Sequence, residues 1–175
     1  MKFCSNCGSP VAIRVPPGDS LPRHVCDACG SVHYQNPKLV VGAVPEWQGR
    51  LLLCRRAIEP RYGYWTLPAG FMENDETAAA AAARETLEEA GARIEVLKAF
   101  SLVSVSRVNQ VHLFYCARLL DLEFKPGSES LEVALFEEAA IPWRDVAFRT
   151  VGLTLKHWFA DRSRGQVGFH AEDVT

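Results

Sequence analysis

The sequence has no long hydrophobic run, and no apolar stretch approaches the ~20 residues that a membrane-spanning helix requires. It also has no excess of one charge, because 19 Lys and Arg residues stand against 21 Asp and Glu residues. Proteins that hold a long polyanion are usually strongly basic, so neither nucleic acid nor a membrane is an expected partner. With 48% hydrophobic residues in 175, the chain has enough apolar side chains to build a core.

No secretory leader is expected either, because only Met1-Lys2-Phe3 stands before the first cysteine pair. Such a leader needs an apolar segment of about 7–15 residues. We therefore expect a cytoplasmic protein whose thiols are kept reduced.

Four of the six cysteines form two C-x-x-C pairs, and a glycine follows each pair. The pairs are Cys4 with Cys7 and Cys26 with Cys29. In a reducing compartment this spacing favours metal ligation over disulfides. Four thiolates predict a closed tetrahedral Zn²⁺ site with a structural role, and two matched pairs in a short Pro- and Gly-rich segment fit a zinc ribbon better than a dithiol redox enzyme.

The composition changes at Asn36-Pro37, where a segment rich in Cys, Pro and Gly gives way to regular apolar periodicity. This change predicts a ribbon over residues 1–36 and a second domain over residues 37–175. The ribbon is too small to bury a core of its own, so metal binding should supply most of its folding free energy.

The second domain shows patterns of both strands and helices. Strands are predicted at 38–44, 51–55, 94–105, 110–118 and 131–136, and helices at 76–90 and 151–161. The first helix has Asn74 as its predicted N-cap and should stop at Gly91. Cys54 and Cys116 stand in apolar strand-like runs and are predicted to be buried, unreactive thiols.

The first helix carries a cluster of acidic side chains. Glu85, Glu88 and Glu89 are spaced i, i+3 and i+4, so they project from one helix face and repel one another. The apolar loop that precedes the helix ends in Gly70, whose carbonyl could approach the same ion. Oxygen ligands of this kind suit a divalent ion such as Mg²⁺ or Mn²⁺.

The segment of residues 70–92, GFMENDETAAAAAARETLEEAGA, resembles the Nudix box in every charged and glycine position. The resemblance implies an α+β Nudix fold, a mixed β-sheet between α-helices, with hydrolase activity on a nucleotide diphosphate linkage. It also implies that Glu88, Glu89 and the Gly70 carbonyl bind the metal, while Glu85 is a further ligand or accepts the proton from water. Arg84 is expected to orient one of the glutamates, and Glu76 to hold the loop to the helix.

Three further segments, YQNPK, WTLPAGFME and PGSESLEVALF, are similar to the zinc-ribbon Nudix group that contains plant FAD pyrophosphohydrolase. This similarity implies cleavage of FAD to FMN and AMP, or of ADP-ribose to AMP and ribose 5-phosphate. The zinc-ribbon group of NADH pyrophosphatases and RNA-deNADding enzymes carries a Ser-Gln-Pro-Trp-Pro-Phe-Pro type motif after the box. Because residues 101–106 read SLVSVS instead, NADH and NAD-capped RNA rank lower.

Several residues outside the helix are also candidates for the site. The loop glutamate Glu129 is the first candidate for a general base, while Glu132 alternates with apolar residues and is as consistent with a solvent-facing side chain. Arg55, Arg56 and Arg61 are candidates for phosphate contacts, with exposed salt bridges as the alternative. Trp65 is a candidate for stacking on the base, although packing inside the domain is the more common role of such a residue.

Two other functions use the same features. A house-cleaning triphosphatase would use the same helix to release pyrophosphate from a damaged nucleoside triphosphate. A nucleotide-sensing domain would keep the fold without the chemistry, but such a domain is expected to lose some of the three glutamates. Many Nudix enzymes are dimers, so a homodimer is also expected.

Overall fold

The computed structural model describes the whole chain, Met1–Thr175, which forms two compact units, Met1–Pro37 and Lys38–Thr175. The predicted boundary after residue 36 lies beside this division. Neither of the two α-helices is long and apolar enough to cross a membrane.

The first unit is a three-stranded antiparallel sheet with two matching turns. Its strands are β1 (Val11–Arg14), β2 (Arg23–Cys26) and β3 (Val32–His33). In each turn the glycine after the cysteine pair has φ +74°, and its N–H donates to the carbonyl of the first cysteine at 2.9 Å. That left-handed conformation carries little cost only for glycine, which explains why Gly8 and Gly30 stand at equivalent places.

The second unit contains eight strands and two α-helices. The strands are β4 (Lys38–Trp47), β5 (Arg50–Arg56), β6 (Trp65–Thr66), β7 (Ala69–Phe71), β8 (Ile94–Val105), β9 (Gln110–Leu119), β10 (Ser130–Phe136) and β11 (His170–Val174), and the helices are α1 (Ala78–Ala90) and α2 (Arg149–Ser163). The order across the sheet is β10-β5-β4-β9-β8-β11, with β6 on β5 and β7 on β4. Because β4 pairs with β9 and β8 with β11 in parallel while the other pairs are antiparallel, the sheet is mixed.

Adjacent residues of β4 show that the sheet lies between the two helices. Ala43 packs in a cluster with Ala81 and Ala82 of α1, whereas the next residue, Val44, packs in a cluster with Leu155 of α2. Successive side chains of a strand point to opposite faces, so each helix covers one face. The predicted α+β fold, a mixed sheet between helices, is therefore confirmed.

Helix α1 begins two residues later than predicted. The N-cap is Thr77, whose Oγ1 accepts a hydrogen bond from the Ala80 N–H at 3.2 Å, so the predicted N-cap at Asn74 is wrong. Asp75 has φ 63° and cannot continue a right-handed helix, and the Glu76 side chain accepts from the Glu73 N–H instead. The C-terminal end is as predicted, because Gly91 caps the helix with φ 59°.

Two further predictions concern the buried cysteines and helix α2, whereas the short strands β6, β7 and β11 were not predicted. Cys54 and Cys116 are buried, as predicted, and burial raises the pKa of the Cys116 thiol to about 11, which disfavours the reactive thiolate. Helix α2 extends the predicted helix by two residues at each end. Strand β11 was not predicted, because its short sequence HAEDV is stabilised by pairing with the distant strand β8.

Candidate functional site

The three glutamates lie in the last two turns of α1 and differ sharply in burial. Glu89 is 7% exposed, Glu85 is half-buried and Glu88 is exposed. A carboxylate that is buried without full neutralisation is costly, so burial at this position indicates a place where a cation is favourable.

Glu89 is held by the loop that precedes α1. Its Oε2 accepts a hydrogen bond from the Ala69 N–H at 3.1 Å. Burial, followed by the negative charges of Glu85 and Glu129, raises the pKa of Glu89 to about 8, although the Ala69 N–H and Arg56 act in the opposite direction. A divalent ion would offset the same repulsion, so the donor set fits Mg²⁺ or Mn²⁺.

Gly70 lies directly against the carboxylate of Glu85. A Cβ added at Gly70 would stand 2.3 Å from the Glu85 carboxylate, so a larger residue at this position would displace the Glu85 side chain. Burial raises the pKa of Glu85, while the neighbouring Arg84 lowers it. The backbone of Gly70 is therefore placed beside the acidic face, where its carbonyl was expected.

Arg84 links the acidic residues to the segment before the helix. Its guanidinium makes two contacts with Glu76, at 3.0 and 2.7 Å, and its Nη1 donates to Glu85 at 2.7 Å and to Glu88 at 3.1 Å. A further contact goes to the Phe71 carbonyl at 3.2 Å. The Arg84 cation holds the pKa of Glu76 at about 2, so this pair stays ionised and fixes the entry to the helix.

The loop before β10 packs against the C-terminal end of α1. The N–H groups of Lys125 and Gly127 donate to the carbonyls of Ala90 and Glu89, both at 2.9 Å. A Cβ at Gly127 would stand 1.8 Å from the Glu88 carbonyl oxygen, so glycine is required for this approach. The loop thereby brings the exposed Glu129 close enough for its charge to raise the pKa of both Glu85 and Glu89.

The remaining candidate residues outside α1 make contacts with other parts of the protein. Glu132 is exposed and pairs with Arg55 at 3.7 Å, and Arg55 also donates to the Gly63 carbonyl at 2.9 Å. Arg61 has φ 68° and lies over the Tyr64 ring. Trp65 is 9% exposed and packs edge-on against Phe136 in the main core, so its position matches the more common of the two roles considered, packing inside the domain, rather than stacking on a base.

A cavity of about 530 Å³ opens beside Gly70. Much of its lining is apolar, and its volume falls in the ~300–1,000 Å³ range of small-molecule sites. The polar residues of the lining include Arg56, Gln110, His112, Arg149 and Thr150. Apart from Arg56 they come from β9 and the start of α2, which only the tertiary fold brings together, so no local motif marks Gln110, His112 or Thr150 as site residues.

The four cysteines of the first unit converge on one point. Their sulfur atoms all lie within 4.8 Å of one another, with Cys4 and Cys29 at 3.6 Å and Cys7 and Cys26 at 3.5 Å. Sulfurs around a tetrahedral Zn²⁺ at about 2.3 Å stand roughly 3.8 Å apart, so the cluster fits zinc. Hydrogen bonds from Ser31 lower the pKa of the Cys29 thiol to about 6, which favours the thiolate that zinc requires.

Comparison with protein families identifies both units. The family model for the Nudix N-terminal zinc ribbon matches residues 2–35, and the model for the NUDIX domain matches residues 36–160. The second match covers more than half of the chain, so the protein belongs to the Nudix hydrolase family, with an N-terminal zinc ribbon.

Individual relatives agree with this assignment. A crystal structure of a NUDIX hydrolase from Nitrosomonas europaea is 53% identical, covers 99% of both chains and has a TM-score of 0.97. The NAD-capped RNA hydrolase NudC of Chromobacterium violaceum is 37% identical over 57% of this chain and 36% of its own. An ADP-ribose pyrophosphatase of Methanocaldococcus jannaschii is 30% identical over 62% of this chain and 67% of its own.

The chain spans only part of the NudC relatives. It covers 36% of the Chromobacterium violaceum protein and 50% of the one from Photobacterium profundum.

Proposed function

We propose that the protein is a metal-dependent hydrolase that cleaves the diphosphate linkage of a nucleotide derivative. The observation that supports this most directly is the buried, hydrogen-bonded Glu89 beside Gly70, on a helix face that also carries Glu85 and Glu88. A bound Mg²⁺ or Mn²⁺ would offset negative charge on the phosphate oxygens and activate water.

The residues of the chain divide the remaining work. Glu85, Glu88, Glu89 and the Gly70 carbonyl would hold the metal, and Arg84 would orient Glu85 and Glu88 through the contacts it already makes. Glu129 would accept the proton from the attacking water, because it is exposed and its charge is felt at the buried glutamates. Arg56 lines the cavity and lowers the pKa of Glu89, so it is better placed than Arg55 or Arg61 to contact a phosphate.

The proposed substrates share an AMP half joined through a diphosphate. ADP-ribose is supported by the similarity to an ADP-ribose pyrophosphatase, and NADH or NAD-capped RNA by the similarity to NudC proteins. NADH and NAD-capped RNA ranked lower by sequence, because the motif typical of their hydrolases is missing at residues 101–106. The similarity to NudC proteins makes them stronger candidates. FAD remains a candidate through the resemblance of residues 34–38, 65–73 and 126–136 to the FAD pyrophosphohydrolase group.

The test is a product analysis with purified full-length protein. ADP-ribose, NADH, FAD, an NAD-capped RNA and 8-oxo-dGTP are incubated with Mg²⁺, with and without EDTA, and the products are separated by chromatography. The proposal predicts metal-dependent release of AMP plus the matching monophosphate, or of a 5′-monophosphate end from the RNA. Pyrophosphate released from 8-oxo-dGTP alone would instead indicate a triphosphatase, and an absence of turnover on the whole panel would contradict the proposal.

A single substitution tests the acidic face. Glu89→Gln keeps the size of the side chain and an oxygen for the Ala69 N–H, but it removes the charge that would bind the metal. We expect turnover to fall by about 100-fold or more while the thermal unfolding midpoint changes little. Glu132→Gln is the matched control, because Glu132 is exposed and pairs with Arg55. An active Glu89→Gln protein would remove Glu89 from the site.

A further inference from the structure

Three polar side chains form a hydrogen-bonded chain inside the cavity beside Gly70. The Nε2 of His112 lies 3.0 Å from Oε1 of Gln110, and its Nδ1 lies 3.1 Å from Oγ1 of Thr150. Gln110 and His112 project from the same face of β9, two residues apart, and Thr150 comes from the first turn of α2. All three line the cavity.

The hydrogen bonds determine how Gln110 is presented. The Gln110 Oε1 is an acceptor only, so the His112 Nε2 must carry the proton that it donates. The Nδ1 of the neutral ring is then an acceptor and takes the hydroxyl proton of Thr150, which is 3% exposed. Gln110 therefore keeps both N–H groups of its amide, and the second lone pair of Oε1, for a ligand.

The walls of the cavity favour a flat, apolar ring. Val40, Phe71, Val105, Val108 and Phe148 line it, and they offer hydrophobic and aromatic surface rather than charge. The primary amide of Gln110 presents an N–H donor beside a carbonyl acceptor. It therefore pairs with a ring edge that has an acceptor beside a donor. Adenine has such an edge in its N7 nitrogen and its N6 amino group, and this is the edge we take the amide to read, because the same edge of guanine carries two acceptors, N7 and O6.

We infer that Gln110 is a specificity-determining residue that reads the adenine ring of the substrate through a pair of hydrogen bonds, with His112 and Thr150 fixing its orientation. This inference rests on the proposed function, because it places the AMP half of the substrate in the cavity next to the acidic face. The chain discriminates adenine from guanine at this position.

The experiment measures binding, so it does not depend on turnover. Calorimetry with full-length protein compares AMP with GMP for the wild type, for Gln110→Met and for Gln166→Met. Methionine keeps the length of glutamine without its amide, and Gln166 is an exposed glutamine that does not line the cavity. We expect the wild type and the Gln166 variant to prefer AMP by about tenfold or more, and Gln110→Met to lose that preference chiefly through weaker AMP binding.

The possible results separate the two proposals. Equal binding of AMP and GMP by the wild type, no binding of AMP, or a Gln110→Met protein that keeps its preference would each overturn the inference. If Gln110→Met weakened the binding of AMP and GMP by the same factor, Gln110 would have a merely structural role, and this result would also overturn the inference. If AMP is preferred through Gln110 but no substrate is cleaved, the adenine site stands and the proposed hydrolysis fails.

Discussion

Glu129 and Glu132 are three residues apart, yet the structure gives them different surroundings. The charge of Glu129 raises the pKa of Glu85 and Glu89, whereas Glu132 is paired with Arg55 at 3.7 Å. If Glu129 is the general base, Glu129→Gln should lower kcat by about 100-fold or more with little change in KM. Glu132→Gln is the control in the same segment and should stay within about threefold, as is typical for an exposed ion pair.

The comparison also decides between the two candidate bases. If Glu129→Gln retains most of its activity, the proton must go elsewhere, and Glu85 becomes the better candidate. A steady-state assay with the best substrate of the panel measures both variants.

His112 is a second residue with a testable protonation state. Burial lowers its pKa below the ordinary value of about 6.5, so the folded protein takes up this proton less readily than the unfolded chain. The associated stability is present above pH 6.5 and is lost as the pH falls from 6.5 towards the lower folded-state pKa. Imidazole NMR signals, assigned with a His112→Gln variant, should give a midpoint below 6.5. A midpoint above 6.5 would contradict the buried neutral ring.

At the scale of elements, two glycines predict opposite effects of the same substitution. Gly152 lies inside α2 with no atom within 4 Å of an added Cβ, so Gly152→Ala should stabilise the protein by about 0.5–1 kcal/mol through helix propensity. Gly127 lies against the Glu88 carbonyl, so Gly127→Ala must displace the loop that carries Glu129.

The two variants are compared by urea unfolding and by activity. Gly127→Ala should lose stability and kcat together, because the loop both caps α1 and positions Glu129. A Gly127→Ala protein with normal activity would show that the position of this loop does not matter for the reaction.

The sequence predicts the elements of this fold unevenly, and the reasons are physical. Strand β8 was predicted to the residue and α1 to its last residue, because continuous apolar patterning and a C-terminal glycine are local signals. The start of α1 was missed because Thr77, rather than Asn74, has the extended backbone of a cap. Strand β11 was missed because it pairs with a strand distant in sequence. The hydrogen bonds that join Gln110, His112 and Thr150 were missed for the same reason, since Thr150 lies 38 residues from His112.

Individual site residues divide in the same way. The acidic face and Gly70 follow from a spacing within one segment of 23 residues, 70–92. The surroundings of Trp65 do not, since the sequence favours packing for an aromatic residue beside a loop but also leaves a place on a binding surface open. Only its packing against Phe136 shows that it belongs to the core.

At the scale of the whole molecule, the two units are stabilised by different means. The buried hydrophobic residues of Met1–Pro37 are Cys4, Val25 and Cys26, and two of these are predicted zinc ligands. Lys38–Thr175 instead contains a continuous core around Phe100 and Phe114 between the sheet and α2. Apolar burial of that size supports a fold without a metal, whereas the first unit is expected to obtain most of its folding free energy from zinc.

This difference predicts a selective effect of losing one thiolate. The purified protein should contain about one zinc per chain, and Cys26→Ser should lower that content well below one because a structural site needs all four ligands. Cys116→Ser is the matched control, since Cys116 is a buried thiol of the second unit and should leave the zinc content unchanged. In amide NMR spectra of Cys26→Ser, signals from residues 1–37 should lose dispersion while those of Phe100 and Phe114 persist. A Cys26→Ser protein that retains its zinc would show that the ribbon does not depend on the four-cysteine site, and the metal would then have to be sought on other donors.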